Sequence, residues 1–159
     1  MTVRLARPSD LAVALPLWEA LHREHEARDP RYRLSDDASA RWSTDFRSWT
    51  RSGSDRVWLA VDGGEAVGLL TAHIYEPAPV FAPSTLIYVD DLYVAPAARR
   101  SGLAARLLGE ARQWGVDVGA TQLRAGVLAQ NAAGLAFWHQ EGATDFSVTV
   151  TIPIDPSAR

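Results

Sequence analysis

The chain has 159 residues and a net charge of −3, with 47% hydrophobic and 22% charged residues. This length and balance are ordinary for one soluble globular domain, which we expect residues 1–159 to form. The acidic charge argues against binding along a nucleic acid backbone. Because the chain contains no cysteine, disulfides, thiolate metal sites and a cysteine nucleophile are excluded. No apolar run is long enough to cross a membrane and the first residues do not resemble a signal peptide, so a cytoplasmic location is expected.

The N-terminal third predicts one strand and two helices. Residues 3–6 can form the strand, and Ser9 or Asp10 can cap a helix that ends before Pro30. An apolar stripe at helical spacing should face the core along this helix: Leu11, Leu15, Trp18 and Leu21. Residues 36–49 form the second helix. Its aromatic side is more typical of a core than of a cofactor contact: Trp42, Phe46 and Trp49.

Strands are predicted at residues 56–61, 65–75, 86–94, 121–128 and 147–154. The first two are joined by Asp62-Gly63-Gly64, a strong hairpin signal. A helix from about Gly102 to Gly119 follows the third strand. A short helix follows the fourth, beginning after Asn131 and ending at Gly142. The last strand closes a mixed sheet that carries helices on its faces.

The strand at residues 86–94 changes its alternation in the middle. Ile87 and Val89 are apolar at odd positions, whereas Leu92 and Val94 are apolar at even ones. Because side chains alternate between faces, this change implies burial on both faces or an extra residue at a bulge. It falls at Asp90-Asp91, and two buried carboxylates would be costly without partners. We therefore expect this pair to have a function.

A phosphate site is predicted immediately after this strand. A Pro-containing turn at 95–98 and an Arg/Gly segment lead into a helix, whose first backbone N–H groups have no intrahelical partner. The positive end of the helix dipole and the neighbouring Arg99 and Arg100 favour an anion there. The alternative is a strand-to-helix connection in which Gly102 only closes the turn.

Together these residues resemble the GCN5-related N-acetyltransferase (GNAT) superfamily nearly from end to end. Its acetyl-CoA motif, Gln/Arg-x-x-Gly-x-Gly/Ala, is matched by Arg99, Gly102 and Ala104. The preceding DDLYVAP and the later NAAGLAFW fall where the family places its other cofactor contacts. The resemblance implies an α/β fold with a mixed, mostly antiparallel, twisted sheet of six to seven strands and about four helices. It also implies an acetyl-CoA-dependent N-acetyltransferase in which an amine attacks acetyl-CoA directly.

The resemblance further implies how acetyl-CoA is held. Backbone groups of Leu92, Tyr93 and Val94 would pair with the pantetheine arm where two strands separate, and one N–H would polarise the thioester carbonyl. The other side of the cofactor would be lined by Asn131, Phe137 and Trp138. The pyrophosphate would lie on the amides of the turn and first helical residues: Arg99, Arg100, Ser101, Gly102, Leu103 and Ala104.

Deprotonation of the amine is the step that most needs a side chain. An alkyl amine with a pKa of about 10.4 is neutral in roughly one molecule in 10³ at pH 7, a handicap of about 4–5 kcal/mol. Asp90 and Asp91 are the candidates for this role, and the sequence does not choose between them. The tyrosine that serves the family as general acid is Trp138 here, and an indole cannot supply a proton. Tyr93, Tyr88, His139 or a water molecule could replace it, and we take Tyr93 as the catalytic candidate.

The acceptor is expected to be a small cationic amine, because the segment AFWHQEGATDFS resembles the diamine and polyamine acetyltransferase branch. Its binding residues are predicted to be His25, Tyr88, Asp90 and Asp91. Acetylation of a protein N-terminus or lysine, and a non-catalytic acyl-CoA-binding module, are the alternatives. No metal is expected, because His22 and Glu26 share a helix face without a third ligand. A homodimer is possible, since the alternating residues 147–154 could leave a pairing edge.

Overall fold

The computed structural model describes residues 1–155 and Ser157. A single sheet has the strand order β1-β2-β3-β4-β5, in which the first four strands are antiparallel and β5 is parallel to β4. The strands are β1 (Thr2–Leu5), β2 (Asp55–Asp62), β3 (Glu65–Tyr75), β4 (Leu86–Val94) and β5 (Gln122–Ala125). The α-helices are α1 (Leu11–Arg28), α2 (Ala38–Trp49), α3 (Leu103–Asp117) and α4 (Ala132–Gln140). This confirms the mixed, mostly antiparallel sheet flanked by helices.

The sheet separates two apolar cores, as strand alternation requires. On one face α1 and α2 pack against the odd-numbered residues of β2 and β3, such as Leu59 and Leu69. On the other face α3 packs against the even-numbered ones, such as Leu70. Both faces of the central strands are therefore buried, and one face of the sheet packs against α1 and α2.

Local sequence signals set most element boundaries. The Asp62-Gly63-Gly64 turn joins β2 to β3, with both glycines at positive φ (57° and 91°). Gly119 and Gly142 follow the ends of α3 and α4 in the left-handed conformation, with φ of 71° and 90°. Left-handed residues at this position are the common way to end a helix, so these predicted boundaries are confirmed.

The C-terminal part of the sheet differs from the prediction in two ways. β5 covers only residues 122–125, and residues 147–154 form no strand, so the described sheet has five strands instead of six to seven. A β-strand needs a neighbouring strand to pair its backbone N–H and C=O groups. The alternating pattern of residues 147–154 is therefore not enough to form a strand. In the described chain no strand lies beside it, and the prediction that it closes the sheet of the same chain is wrong.

β4 extends well beyond its pairing with β5. The two strands pair from Leu86 with Gln122 to Val89 with Ala125, and β4 then continues to Val94 paired only with β3. Gly126 follows β5 at the point of divergence, where a Cβ would lie 3.2 Å from the Tyr88 hydroxyl. The second half of β4 therefore has one open backbone edge on the side of β5.

Candidate active site

A β-bulge in β4 places two carboxylates on one face of the sheet. In the register Thr71 pairs with Asp91 and Ala72 pairs with Val89, so Asp90 is an additional residue with no partner of its own. Before the bulge the odd residue Val89 faces α3, and after it the odd residue Tyr93 faces α1. The bulge therefore produces the change in alternation, in a strand that is also buried on both faces. Both Asp90 and Asp91 line the cavity beneath α1 and α2.

Asp91 is buried and held by neighbours on two elements. Its side chain accepts a 2.8 Å hydrogen bond from the Thr71 hydroxyl on β3. His22 Nε2 on α1 lies 3.6 Å from its other carboxylate oxygen. Burial of a carboxylate requires such partners, and they leave Asp91 in a fixed position at the base of the cavity.

Asp90 is more accessible and pairs with a different histidine. Its side chain is 43% exposed and lies 2.8 Å from His73 Nδ1 on β3. Partial desolvation raises the pKa of the Asp90 carboxyl above its usual value, while the hydrogen bond from His73 opposes the rise. A carboxylate with a raised pKa that is open to a cavity is better suited to accept a proton than an ordinary aspartate.

The cavity above these carboxylates has a volume of about 280 Å³. Its wall on the helix side consists of indole rings: Trp18, Trp42 and Trp49. Its charged residues are three carboxylates, because Asp55 at the start of β2 joins Asp90 and Asp91, and one guanidinium, that of Arg56. Aromatic faces beside carboxylates favour an organic cation. The lining thus combines indole faces with a net negative charge.

Trp42 contributes an additional feature to the cavity wall. Its ring is 5% exposed and stacks on Trp18, with ring centroids 5.2 Å apart. Its indole N–H is buried and has no hydrogen-bond acceptor within the described chain. Buried donors are normally satisfied, so this unpaired N–H is an exception among the described residues.

The turn that was predicted to bind phosphate leads directly into the start of α3. Gly102 caps α3 in the left-handed conformation with φ of 78°, and Arg100 also has a positive φ of 61°. The first α-helical bond of α3 joins Arg106 N to Gly102 O at 3.1 Å. The amides of Leu103 and Ala104 precede it and have no intrahelical partner. Ser101 folds over the turn, with its hydroxyl donating to Ala98 O at 2.6 Å.

The charged side chain of Arg99 contacts the end of β4 and α1. Its Nε donates to Val94 O at 2.9 Å, and its Nη2 lies 2.5 Å from Glu24 on α1. The guanidinium also stacks over the Tyr93 ring at 5.5 Å. Arg99 thus ties the end of β4 to α1, and Arg100 is the exposed cation beside the turn.

The other predicted site residues lie on β4, at the N-cap of α4 and within α4. Tyr88 lies beside His73, with ring centroids 5.6 Å apart, whereas Tyr93 is only 6% exposed. Leu92 and Val94 face the α3 side of the sheet. Asn131 caps α4 by accepting a 3.1 Å bond from Gly134 N. In α4 the Phe137 and Trp138 rings are 5.6 Å apart, and Trp138 packs against the α3-side core.

Four residues near the cavity were not among the predicted site residues, whereas the predicted residue His25 is not part of the cavity lining. His22 and His73 pair with the carboxylates, and Asp55 and Trp42 line the cavity. His22 could have been found, since it follows Trp18 by one helical turn. His73 becomes visible only from the β3–β4 register. His25 contacts Tyr32 and His22, and burial followed by the charge of His22 lowers its pKa.

Two features are absent from the described residues. No group of three or more histidine and acidic side chains there could hold a metal ion. None of the helices is both long and apolar enough to cross a membrane.

Comparisons with known proteins place this geometry in context. Residues 17–143 match a family model described as the acetyltransferase (GNAT) family. A search of curated proteins finds no significant match. Among solved structures, a mutant of the BH1408 protein of Bacillus halodurans is similar with a TM-score of 0.86 and 19% identity, over 97% of this chain and 99% of that one.

Two aminoglycoside acetyltransferases share the fold as well. The aminoglycoside antibiotic 6′-N-acetyltransferase of Acinetobacter haemolyticus has a TM-score of 0.76 and 21% identity, covering 98% of this chain and 99% of that chain. An aminoglycoside N-acetyltransferase in complex with CoA has a TM-score of 0.71 and 15% identity, covering 97% and 99%. At these identities the likeness establishes the fold.

Proposed function

Because this chain belongs to the acetyltransferase (GNAT) family, we propose that it transfers the acetyl group of acetyl-CoA to a primary amine of a small cationic molecule. The observation that carries the proposal is the bulge that sets Asp90 and Asp91 side by side in a cavity walled by indole rings. Two proteins of the same fold are aminoglycoside N-acetyltransferases, which act on small-molecule amines. This likeness supports a polyamine-like acceptor without identifying it.

The cavity would bind the acceptor through charge and aromatic contact. Carboxylates attract the ammonium group, and an indole face contributes about 0.5–2 kcal/mol to a cation placed over it. Asp55 lies in the same cavity as the Asp90–Asp91 pair, so a second ammonium group on the acceptor would have its own partner. The unpaired Trp42 N–H would add selectivity for an acceptor that carries an oxygen or neutral nitrogen near the amine.

We assign the role of base to Asp90. Both its raised pKa and its exposure suit proton transfer, whereas the oxygens of Asp91 are already engaged by Thr71 and His22. His73 orients the Asp90 carboxylate, and Asp91 supplies a fixed negative charge. The amine would lose its proton to Asp90 directly or through one water molecule.

The residues present fit acetyl-CoA as the acyl donor. The open edge of β4 from Asp90 to Val94 can pair with an extended amide-bearing arm, as a strand would. The start of α3 with Gly102 offers amides to a pyrophosphate, and Arg100 adds a positive charge. Acetyl-CoA supplies the activated acetyl group, and the chain orients it toward the carboxylates. Tyr93 stays our candidate for returning a proton to the departing thiolate, to be tested with Tyr93→Phe.

The test compares binding with turnover. Calorimetry should show acetyl-CoA binding that weakens in Gly102→Val, because a β-branched residue cannot readily adopt the left-handed conformation. With diamines, aminoglycosides and an N-terminal peptide as acceptors, CoA release should be fastest with a small amine. Asp90→Asn should lower kcat by about 10²–10⁴-fold, whereas Asp117→Asn, at the far end of α3, should not change it.

The outcomes separate the alternatives. Absence of acetyl-CoA binding would overturn the proposal as a whole. Turnover of the peptide but of no free amine would replace the small acceptor by a protein. Tight acetyl-CoA binding without CoA release from any amine would indicate a binding module.

A further inference from the structure

A gap opens where β4 and β5 separate. The two strands pair only as far as Val89 and Ala125, and β4 then continues to Val94 beside β3 alone. The other side of the gap is the connection from β5 to α4, residues 126–131. Among the described residues, the backbone edge of β4 along this gap has no neighbouring strand. This is the place where the proposed function puts the extended arm of the acyl donor.

The last turns of α1 are fixed to the β4 side of this gap. His22 Nε2 lies 3.6 Å from the Asp91 carboxylate. Arg99, which follows β4, reaches Glu24 with its Nη2 at 2.5 Å and donates from its Nε to Val94 O at 2.9 Å. Because both contacts come from the same side of the gap, the end of α1 and the end of β4 form one unit.

Two side-chain contacts join the end of α1 to the other side of the gap. Asp29, immediately after α1, accepts a 3.2 Å hydrogen bond from Gln130 Nε2 in the connection between β5 and α4. The two residues are 101 positions apart in the chain. Arg31 donates a second hydrogen bond to the Thr151 hydroxyl, in the segment after α4. We call the Asp29–Gln130 pair the clasp, because it closes the gap on the side of α1.

The two residues of the clasp differ in their freedom to move. Asp29 is 5% exposed, and its carboxylate also accepts hydrogen bonds from the Arg31 backbone N–H at 3.0 Å and from Arg31 Nε at 2.9 Å. Gln130 is exposed and makes no other side-chain hydrogen bond within the described chain. A hydrogen bond to an ionised acceptor is stronger than one between neutral groups. The fixed carboxylate of Asp29 therefore holds the amide of Gln130 in place.

The helix α4 depends on polar contacts at both ends, because none of its residues is buried. At its C-terminal end, Arg112 on α3 donates to Glu141 Oε2 at 3.1 Å. At its N-terminal end, Asn131 accepts a 3.1 Å hydrogen bond from Gly134 N, and Gln130 directly precedes Asn131. Since limited apolar burial contributes little to holding the helix, the clasp fixes where α4 begins and thus how wide the gap is.

We propose that the clasp sets the width of this gap for the acyl donor, and that Gln130 is a positioning residue that acts through Asp29. The inference rests on the proposed function, since it takes the extended arm of acetyl-CoA to lie in the gap. An uncharged arm makes few strong contacts, so its binding depends on a gap whose two sides are held at the right distance before the ligand arrives. The clasp should therefore affect binding of the arm, and not of a pyrophosphate at the start of α3.

A first experiment measures by calorimetry the affinity for CoA and for ADP, which has a pyrophosphate but no arm. Gln130→Glu removes the hydrogen-bond donor and sets a second carboxylate against Asp29, so the clasp should open. The dissociation constant of CoA should rise at least about tenfold, and that of ADP should change less than about twofold. Gln140→Glu adds the same charge at the exposed end of α4 and should leave both affinities unchanged.

The outcomes distinguish this proposal from the proposed function. If the native chain binds CoA and Gln130→Glu does not alter that affinity, or lowers it in parallel with the affinity for ADP, the role of Gln130 is wrong and the proposed function is unaffected. If the native chain binds no CoA, the proposed function fails and the role of Gln130 fails with it.

A second experiment exchanges the donor and the acceptor of the clasp. When Asp29→Asn is combined with Gln130→Glu, the amide stands at position 29 and the carboxylate at position 130, so a hydrogen bond across the gap can form again. The dissociation constant of CoA should then be at least about fivefold lower than in Gln130→Glu alone. If the two substitutions weaken CoA binding independently, Gln130 does not act through Asp29 and the proposal is overturned.

Discussion

At Asp90 the backbone of β4 carries one residue more than β3 opposite it. Without this residue, side-chain alternation would send one carboxylate of the pair to each face of the sheet. With it, Asp90 and Asp91 share a cavity but have different partners, His73 and His22 respectively. Two neighbouring carboxylates in different environments can have different roles: one accepts a proton, and the other remains ionised.

The pH dependence of turnover tests the assignment of Asp90. A base must be ionised, so kcat/KM should rise with pH through the pKa of Asp90, which desolvation raises above its ordinary value. The hydrogen bond from His73 lowers the same pKa. His73→Phe keeps an aromatic ring beside Tyr88 but removes this bond, so the acidic limb of the profile should move to higher pH. An unchanged limb in His73→Phe would refute the assignment.

Turnover of Asp90→Asn at raised pH provides a second test of the base. The neutral fraction of an alkyl amine with a pKa of about 10.4 grows about tenfold per pH unit below that value. If Asp90 removes the proton, the loss of kcat in Asp90→Asn should shrink as pH increases. A loss that is independent of pH up to about pH 9, together with a raised KM, would instead place Asp90 in substrate binding alone.

At the scale of elements, the fit between β3 and α3 depends on a glycine. A Cβ at Gly68 would lie 3.1 Å from the Ala60 Cβ and 3.2 Å from both a Leu107 methyl and the Tyr93 carbonyl oxygen. These three neighbours belong to β2, α3 and β4. This close packing keeps the end of β4 near α3. It therefore helps to fix the position of the open edge of β4 relative to the start of α3.

The prediction for this contact uses a matched pair of glycines. Gly68→Ala should destabilise the protein by about 1–3 kcal/mol through overpacking. Gly109→Ala, on the exposed side of α3 with nothing within 4 Å of the added carbon, should stabilise it by about 0.5–1 kcal/mol through helix propensity. Denaturant unfolding measures both. Equal effects of the two substitutions would show that Gly68 is not tightly packed.

At the scale of the whole molecule, Asp29 joins distant parts of the chain. It ends α1, accepts hydrogen bonds from Arg31, and accepts one from Gln130 at 3.2 Å in the connection between β5 and α4. The hydrogen bonds from Arg31, more than any other contact, lower the pKa of the Asp29 carboxyl to about 2. The hydrogen bond from Gln130 thus joins the end of α1 to the connection between β5 and α4.

Asp29 should make stability depend on pH in a defined window. A carboxyl whose pKa is lower in the folded state stabilises it above the unfolded pKa of 3.8, and this contribution is lost as pH falls through about 2. Asp29→Asn should therefore lower the Tm by a few degrees at pH 7, and the difference should vanish near pH 2. Thermal unfolding from pH 2 to 7 measures it, and a difference that stays constant over this range would contradict the prediction.

Much of the fold was predictable because local signals specify it. Glycines after α3 and α4, the Asp62-Gly63-Gly64 turn and the apolar periodicity of α1 each act within a few residues of chain, so the sequence determined these elements. The change of alternation at Asp90-Asp91 also indicated the bulge, because a strand of period two changes phase only at an inserted residue or where both faces are buried. The motif ending at Ala104 pointed to the family that residues 17–143 match.

Tertiary structure decided what depends on partners distant in the chain. His73 reaches Asp90 only through the β3–β4 register, and Trp42 lines the cavity only because α2 packs over the sheet. The Arg99 side chain pairs with Glu24 on α1, a contact that depends on how α1 packs beside the end of β4. Residues 147–154 have the pattern of a strand but, among the described residues, no strand in the same chain to pair with. Periodicity specifies which face is to be buried, whereas only the assembled surfaces determine what covers it.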